Sequence, residues 1–186
     1  MKTKLGLALL LTFALAGFRQ ANAAISLVAP RTEPMKAATA AQSKMFRALY
    51  AKGDAATLRR DVASSVAMLT DEFMFCYKSG IVLKKPQLTA LLKQIMKRVV
   101  KFNAVQTQIK LVQRAEKKVF FVTATSRIDM TYRGLDEKIH RSVSICQMSD
   151  SWLLTKQGWR VQNSQELETR STVDGHEATT TLSSTR

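Results

Sequence analysis

The stretch that decides the fold is KKVFFVTATSRIDMTY, residues 117–132. Aromatic and β-branched side chains fill it, glycine and proline are absent from it, and Arg133-Gly134 closes it, which is the composition of a long strand ended by a turn. Outward from it the same character runs from Val99 onward. Strands are expected near residues 99–114, 117–132, 137–154 and 158–168, with turns at Ala115-Glu116, Arg133-Gly134 and Gln157-Gly158. Long strands joined by tight turns make an antiparallel meander.

Upstream the apolar period changes to that of helices. Ala41, Met45, Ala48 and Leu49 recur at three- and four-residue spacing, so a helix is expected over 37–52. Gly53 is expected to stop it and Asp54 to cap a second helix with the stripe Leu58, Val62, Val66 and Leu69. Phe73-Met74-Phe75-Cys76-Tyr77 reads as a short aromatic strand, returned by Ser79-Gly80 into Ile81-Val82-Leu83. Pro86 opens a third helix carrying Leu88, Leu91, Leu92, Ile95 and Met96. Helices before a run of strands give an α+β class: three N-terminal helices packed on a curved, mainly antiparallel sheet, a cone-shaped fold with an internal pocket.

Lys2 and Lys4, the uncharged apolar run Leu5 to Ala16, and Ala21-Asn22-Ala23 have the order of a secretory signal peptide. The run is shorter than the roughly 20 residues of a spanning helix, so cleavage near Ala23 and a secreted or periplasmic location are expected, with no transmembrane segment left in the mature chain. The expected organisation is a signal peptide over 1–23, an extended leader over 24–36, one domain over 37–168 and a disordered Ser/Thr-rich tail over 169–186.

The chain of 186 residues carries a net charge of +15. Loss of Lys2, Lys4 and Arg19 with the signal peptide makes that +12. Such a balance favours anionic partners, an anionic envelope surface among them. The basic residues are not interleaved with aromatics or zinc spacings, so no specific nucleic-acid module is expected. With no second histidine near His140, no Cys-x-x-Cys and no glycine-rich phosphate loop, neither a metal nor a cofactor is expected. Cys76 and Cys146 are the only cysteines, and an exported, oxidising location permits them to pair.

Lys52-Gly53-Asp54-Ala55-Ala56, Asp71-Glu72-Phe73, Asp150-Ser151-Trp152 and Gly158-Trp159-Arg160-Val161, in this order of elements, resemble the nuclear transport factor 2-like superfamily over about residues 37–168. The nearest likeness is to its SnoaL-like and exported members. The superfamily holds isomerases, dehydratases, epoxide hydrolases and cyclases, so the resemblance implies a fold rather than a reaction. That fold places one strand between those of Cys76 and Cys146, so the resemblance implies two free thiols. In its ketosteroid isomerase-like sites a helix tyrosine and a protonated late-strand aspartate hold an oxyanion while another aspartate moves the proton. Counting from the Gly53-Asp54 turn, back from Gly158 and back from Gly80 places these roles on Phe46, Asp150 and Tyr77 respectively. Phenylalanine has no donor and an ordinary tyrosine is a poor base, so only Asp150 retains its role.

Taking Asp150 as inward, alternation puts His140, Ser142, Ser144, Cys146, Met148 and Trp152 in the pocket. The same reasoning adds Phe121, Thr123, Thr125, Arg127 and Asp129, then Trp159, Val161, Asn163 and Gln165. Phe46 and Tyr77 complete the candidate lining, with Asp150 and His140 as the catalytic candidates. The opposite face of 117–132, bearing Phe120, Val122, Ala124, Ile128, Met130 and Tyr132, needs a cover, and a second copy is expected there as a homodimer; the C-terminal segment or the leader is the alternative cover.

Three functions follow: an exported binding or accessory protein taking a small, partly apolar ligand; a SnoaL-like isomerase, cyclase or hydrolase using Asp150; or a dimeric assembly module without a ligand. Aromatics filling the cone would favour the third.

Overall fold

In the computed structural model, which describes residues 35–178, the stretch quoted above is the second of four long antiparallel strands. The elements are β1 (Lys36–Ala37), α1 (Ala40–Leu58), α2 (Val62–Val66), β2 (Leu69–Cys76), β3 (Val82–Lys84), α3 (Lys85–Arg98), β4 (Val99–Glu116), β5 (Val119–Arg133), β6 (Ile139–Thr155), β7 (Gly158–Val173) and β8 (His176–Glu177). They form one eight-stranded sheet in the order β1-β4-β5-β6-β7-β2-β3, with β8 added to β7. The signal peptide, most of the leader and residues 179–186 lie outside the described residues. The last strand continues to Val173, and β8 returns on it, so residues 169–177 belong to the sheet and not to a tail.

The Gly53-Asp54 turn does not form: α1 runs through it to Leu58. A glycine inside a helix costs only about 1 kcal/mol relative to alanine, and the flanking turns are anchored by buried Phe46 and Ala56. Asp54 caps nothing. Its carboxylate accepts from the Thr107 backbone N–H at 2.8 Å and from the Thr107 hydroxyl at 2.7 Å, tying α1 to β4. The break comes later, where Arg60 takes a left-handed φ of 58° and Asp61 caps α2 by accepting from Ser64 N–H at 2.9 Å.

β5 and β6 pair without interruption, Phe120 opposite Trp152, Val122 opposite Asp150 and Ala124 opposite Met148. Residues directly opposite share a face. The face of Asp150 is therefore the even-numbered, apolar face of β5, and the expected inward set Phe121, Thr123, Thr125, Arg127 and Asp129 points the other way. Helix α1 brings Phe46, Met45, Leu49 and Tyr50, and α3 brings Leu88, onto Val112, Phe120, Val122, Trp152 and Val161. Farther along, Ile95 of α3 packs on Val99, Met130 and Tyr132. The apolar face that was expected to require a second copy is thus covered by the chain's own helices, which removes that argument for a homodimer.

Strand β7 is offset from β6 by irregularities between Ser151 and Trp152 and between Gln147 and Met148. Each extra residue reverses the alternation beyond it. Ser164, opposite Asp150, shares its face, while Asn163 stands opposite Ser151 and leaves the expected lining. β7 lies between β2 and β6, and Cys76 and Cys146 are free thiols as their separation implied.

Candidate functional site

Asp150 lies under the centre of α1, 3 % exposed. Its carboxylate accepts from the Tyr50 hydroxyl and from the Ser164 hydroxyl. The Tyr50 oxygen in turn accepts from the Trp152 indole N–H at 3.2 Å. Burial pushes the Asp150 carboxyl up, against the pull of Ser164 and Tyr50. Burial, then the adjacent carboxylate, hold the Tyr50 phenol well above its ordinary value, so Tyr50 keeps its proton.

Beside this network four aromatic rings pack on one another. Phe46 is fully buried, with its centroid 5.2 Å from Phe120, 5.5 Å from Trp152 and 5.5 Å from Trp159. Phe120 and Trp159 meet edge to face at 5.3 Å, and Tyr50 and Trp152 at 5.5 Å. Each such contact adds to the area it buries. The structure brings together Phe46, Asp150, Trp152 and Trp159 of the expected lining. Cys146 and Met148 follow on the same face of β6, with Tyr77 edge to face against Phe75 at 4.7 Å. Burial first, then nearby Glu166, pushes the Tyr77 phenol up, away from any role as a base.

His140 is ten residues up β6 from Asp150, roughly 33 Å away at the rise of a strand. Its ring sits between Asp174 at 2.7 Å and Asp136 at 3.0 Å, and these hydrogen bonds, Asp174 foremost, raise its pKa. It joins two turns and does not meet Asp150. Asp129 and Arg127 lie on the outer face, where Arg141 Nε and Nη2 donate to Asp129 at 3.0 and 2.7 Å and Asn103 donates at 2.9 Å. Those donors, Arg141 first, lower Asp129 to about 2. Among the described residues no group of three or more His, Cys, Asp or Glu is arranged to hold a metal, and no helix is long and apolar enough to cross a membrane.

Against solved structures, the chain superposes on a ketosteroid isomerase-like protein from Erwinia carotovora atroseptica with a TM-score of 0.54 at 15 % identity, covering 70 % of this chain and 99 % of that one. A nuclear transport factor 2-like protein from Cytophaga hutchinsonii gives 0.50 at 19 % identity, over 67 % and 96 %. A conserved protein from Planctomyces limnophilus gives 0.57 at 14 %, over 68 % and 95 %. The chain has the nuclear transport factor 2-like fold. No family model and no curated protein matches the sequence.

Within the nuclear transport factor 2-like fold, the tyrosine that meets the late-strand aspartate is Tyr50 and not Phe46. It stands one helical turn further on, at the i+4 position of the same stripe, which extending the periodicity from Phe46 would have found. Ser164 had no such signal, because a bulge brings it inward. Chemically, Tyr50 has one proton and spends it on Asp150. Its oxygen takes the Trp152 N–H, and Ser164 also donates to Asp150. The donors of Tyr50, Trp152 and Ser164 are thus all directed within the group.

Proposed function

We infer that the protein is an exported, non-catalytic binding or accessory module of the nuclear transport factor 2-like fold, whose interior is structural and which acts through its outer surface. One observation carries this reading: fully buried Phe46 packs its ring against Phe120, Trp152 and Trp159, an aromatic core directly beside Asp150. The self-satisfied Tyr50–Asp150–Ser164 group supports it, since an active acid needs reach to a reacting atom. Export is supported by Lys2, Lys4, the apolar run to Ala16 and Ala21-Asn22-Ala23.

Native mass spectrometry of the mature protein, purified from its host without denaturation, tests the reading and also reports copy number. The expected result is the mass of the protein chain alone, as monomer or oligomer. A small molecule retained at one per chain, and lost from an Asp150→Ala or Trp159→Ala variant that still folds, would overturn it.

A further inference from the structure

A cavity of about 530 Å³ opens at the far end of α3, lined by Gln94, Lys97, Arg98, Val99, Val100, Arg133 and Glu137. That volume lies in the range of small-molecule sites, roughly 300–1,000 Å³. Three cations face one carboxylate in it. The cavity lies on the side of Tyr132 and His140, away from the ring cluster around Phe46.

Its cations are placed by the fold. Arg98 reaches from the last turn of α3 to donate through Nη1 to the Gly134 carbonyl at 3.0 Å, at the turn between β5 and β6. A guanidinium has five N–H donors, so one anchored nitrogen positions the rest. Arg133 Nη1 donates to the Glu137 carbonyl at 3.2 Å, and its ion pair with the Glu137 carboxylate is long, 4.0 Å, with both side chains more than half exposed. A surface pair of that length contributes little and yields readily to a better anion. Lys97 is exposed on the same helix end. Between them Val99 is buried and Val100 is 48 % exposed, an apolar strip beside the charges. Arg60 of the α1–α2 turn donates to the Val100 carbonyl, adding a further cation at that edge.

We propose that this cavity binds a phosphate monoester with a short apolar body, its phosphate held by Lys97, Arg98 and Arg133 and its apolar body lying on Val100. The two-charge excess of the lining matches a phosphate monoester, which carries roughly −1.5 to −2 at neutral pH. Arginine forks and a lysine are the donors suited to phosphate oxygens. The same chemistry is offered by a soluble phosphate ester and by a phosphatidic acid headgroup. The proposal deepens the outer-surface reading above.

The test titrates the mature protein with octyl phosphate and inorganic phosphate by calorimetry, and with phosphatidylcholine vesicles, with and without phosphatidic acid, by cosedimentation. Octyl phosphate is expected to saturate at one per chain and to bind more tightly than inorganic phosphate. Lys97→Ala and Arg133→Ala are each expected to weaken it about ten-fold, the effect of one charged hydrogen bond. Lys110→Ala, on another part of β4, is expected to leave it unchanged. Vesicle binding that requires phosphatidic acid and is competed by octyl phosphate would make the lipid a source of the group; binding of octyl phosphate alone would make the source soluble. Absence of octyl phosphate binding overturns the proposal, and so does vesicle binding that Lys110→Ala weakens as much as Lys97→Ala. A molecule found in the interior would sink the previous reading and leave this titration untouched.

Discussion

The Tyr50 hydroxyl donates to the Asp150 carboxylate across the interface of α1 and β6, one hundred residues apart in sequence. This contact joins the helix layer to the sheet through the most deeply buried acid of the fold. Tyr50→Phe removes the donor to Asp150 and the acceptor for Trp152 N–H together, leaving buried polar atoms without partners. Each such loss costs about 1–3 kcal/mol. Urea unfolding is expected to show destabilisation in that range, and a cycle with Asp150→Ala should be non-additive because the residues share one network. Additive effects would show that the two side chains act separately.

Phe46 is the plug of the ring cluster. Phe46→Ala is expected to lower stability by about 3–5 kcal/mol, as large-to-small core changes do. It should also create an apolar void that takes up indole or benzene, as engineered core cavities do. A thermal shift on adding either solute is expected for the variant and not for the wild type. An equal shift for the wild type would mean that its interior is already open.

Gly53 is inside α1, and a Cβ placed on it would meet the Met68 sulfur at 3.5 Å, an ordinary contact. Gly53→Ala is therefore expected to stabilise by about 0.5–1 kcal/mol. Were residues 53–54 the helix-breaking turn that the sequence suggests, the change would destabilise. Chemical denaturation distinguishes the two by sign.

His140, held by Asp174 and Asp136, has its pKa raised in the folded state. A raised pKa stabilises the fold through the protonated form. That contribution is complete below the unfolded value, about 6.5, and is lost as pH rises through the folded value. Stability is expected to fall over this window, and less steeply at high salt because Asp136 and Asp174 are half exposed. His140→Gln should flatten the fall in stability above about pH 6.5; an unchanged slope would place the titration elsewhere.

Asp129 behaves with the opposite sign. Its pKa is lowered to about 2, chiefly by the Arg141 hydrogen bonds. The contribution is present above the unfolded value of about 3.9 and disappears as pH falls through about 2. Acid unfolding of the wild type is expected to steepen over that interval, and Asp129→Asn to lose that steepening. A variant with the wild-type acid limb would show that another carboxylate controls it.

Much of the architecture was legible because strand and helix periods differ. Residues 119–132 of the expected strand are strand, Lys117-Lys118 forming the turn before it, and Pro86 with Leu88, Leu91 and Ile95 gave the third helix to within a residue of its start. Gly53-Asp54 misled because a glycine's preference is about 1 kcal/mol, less than the packing of the turns around it. The pocket misled through parity: whether odd or even residues of β5 point inward depends on which of them stand opposite Asp150, and alternation within one strand cannot say.

The order of hydrophobic and polar side chains along the chain determined by itself most element types and the antiparallel meander, its composition gave the strong positive charge, and the family resemblance pointed to Asp150. Tertiary structure alone decided that Phe46, Phe120, Trp152 and Trp159 fill the interior and that Tyr50 and Ser164 satisfy Asp150. It also decided that His140 belongs to a distant turn and that Lys97, Arg98 and Arg133 converge on one cavity. The physical reason is that local periodicity fixes how each segment is built, whereas strand register and bulges are set by contacts between segments far apart in sequence, and a one-residue offset there exchanges inside for outside.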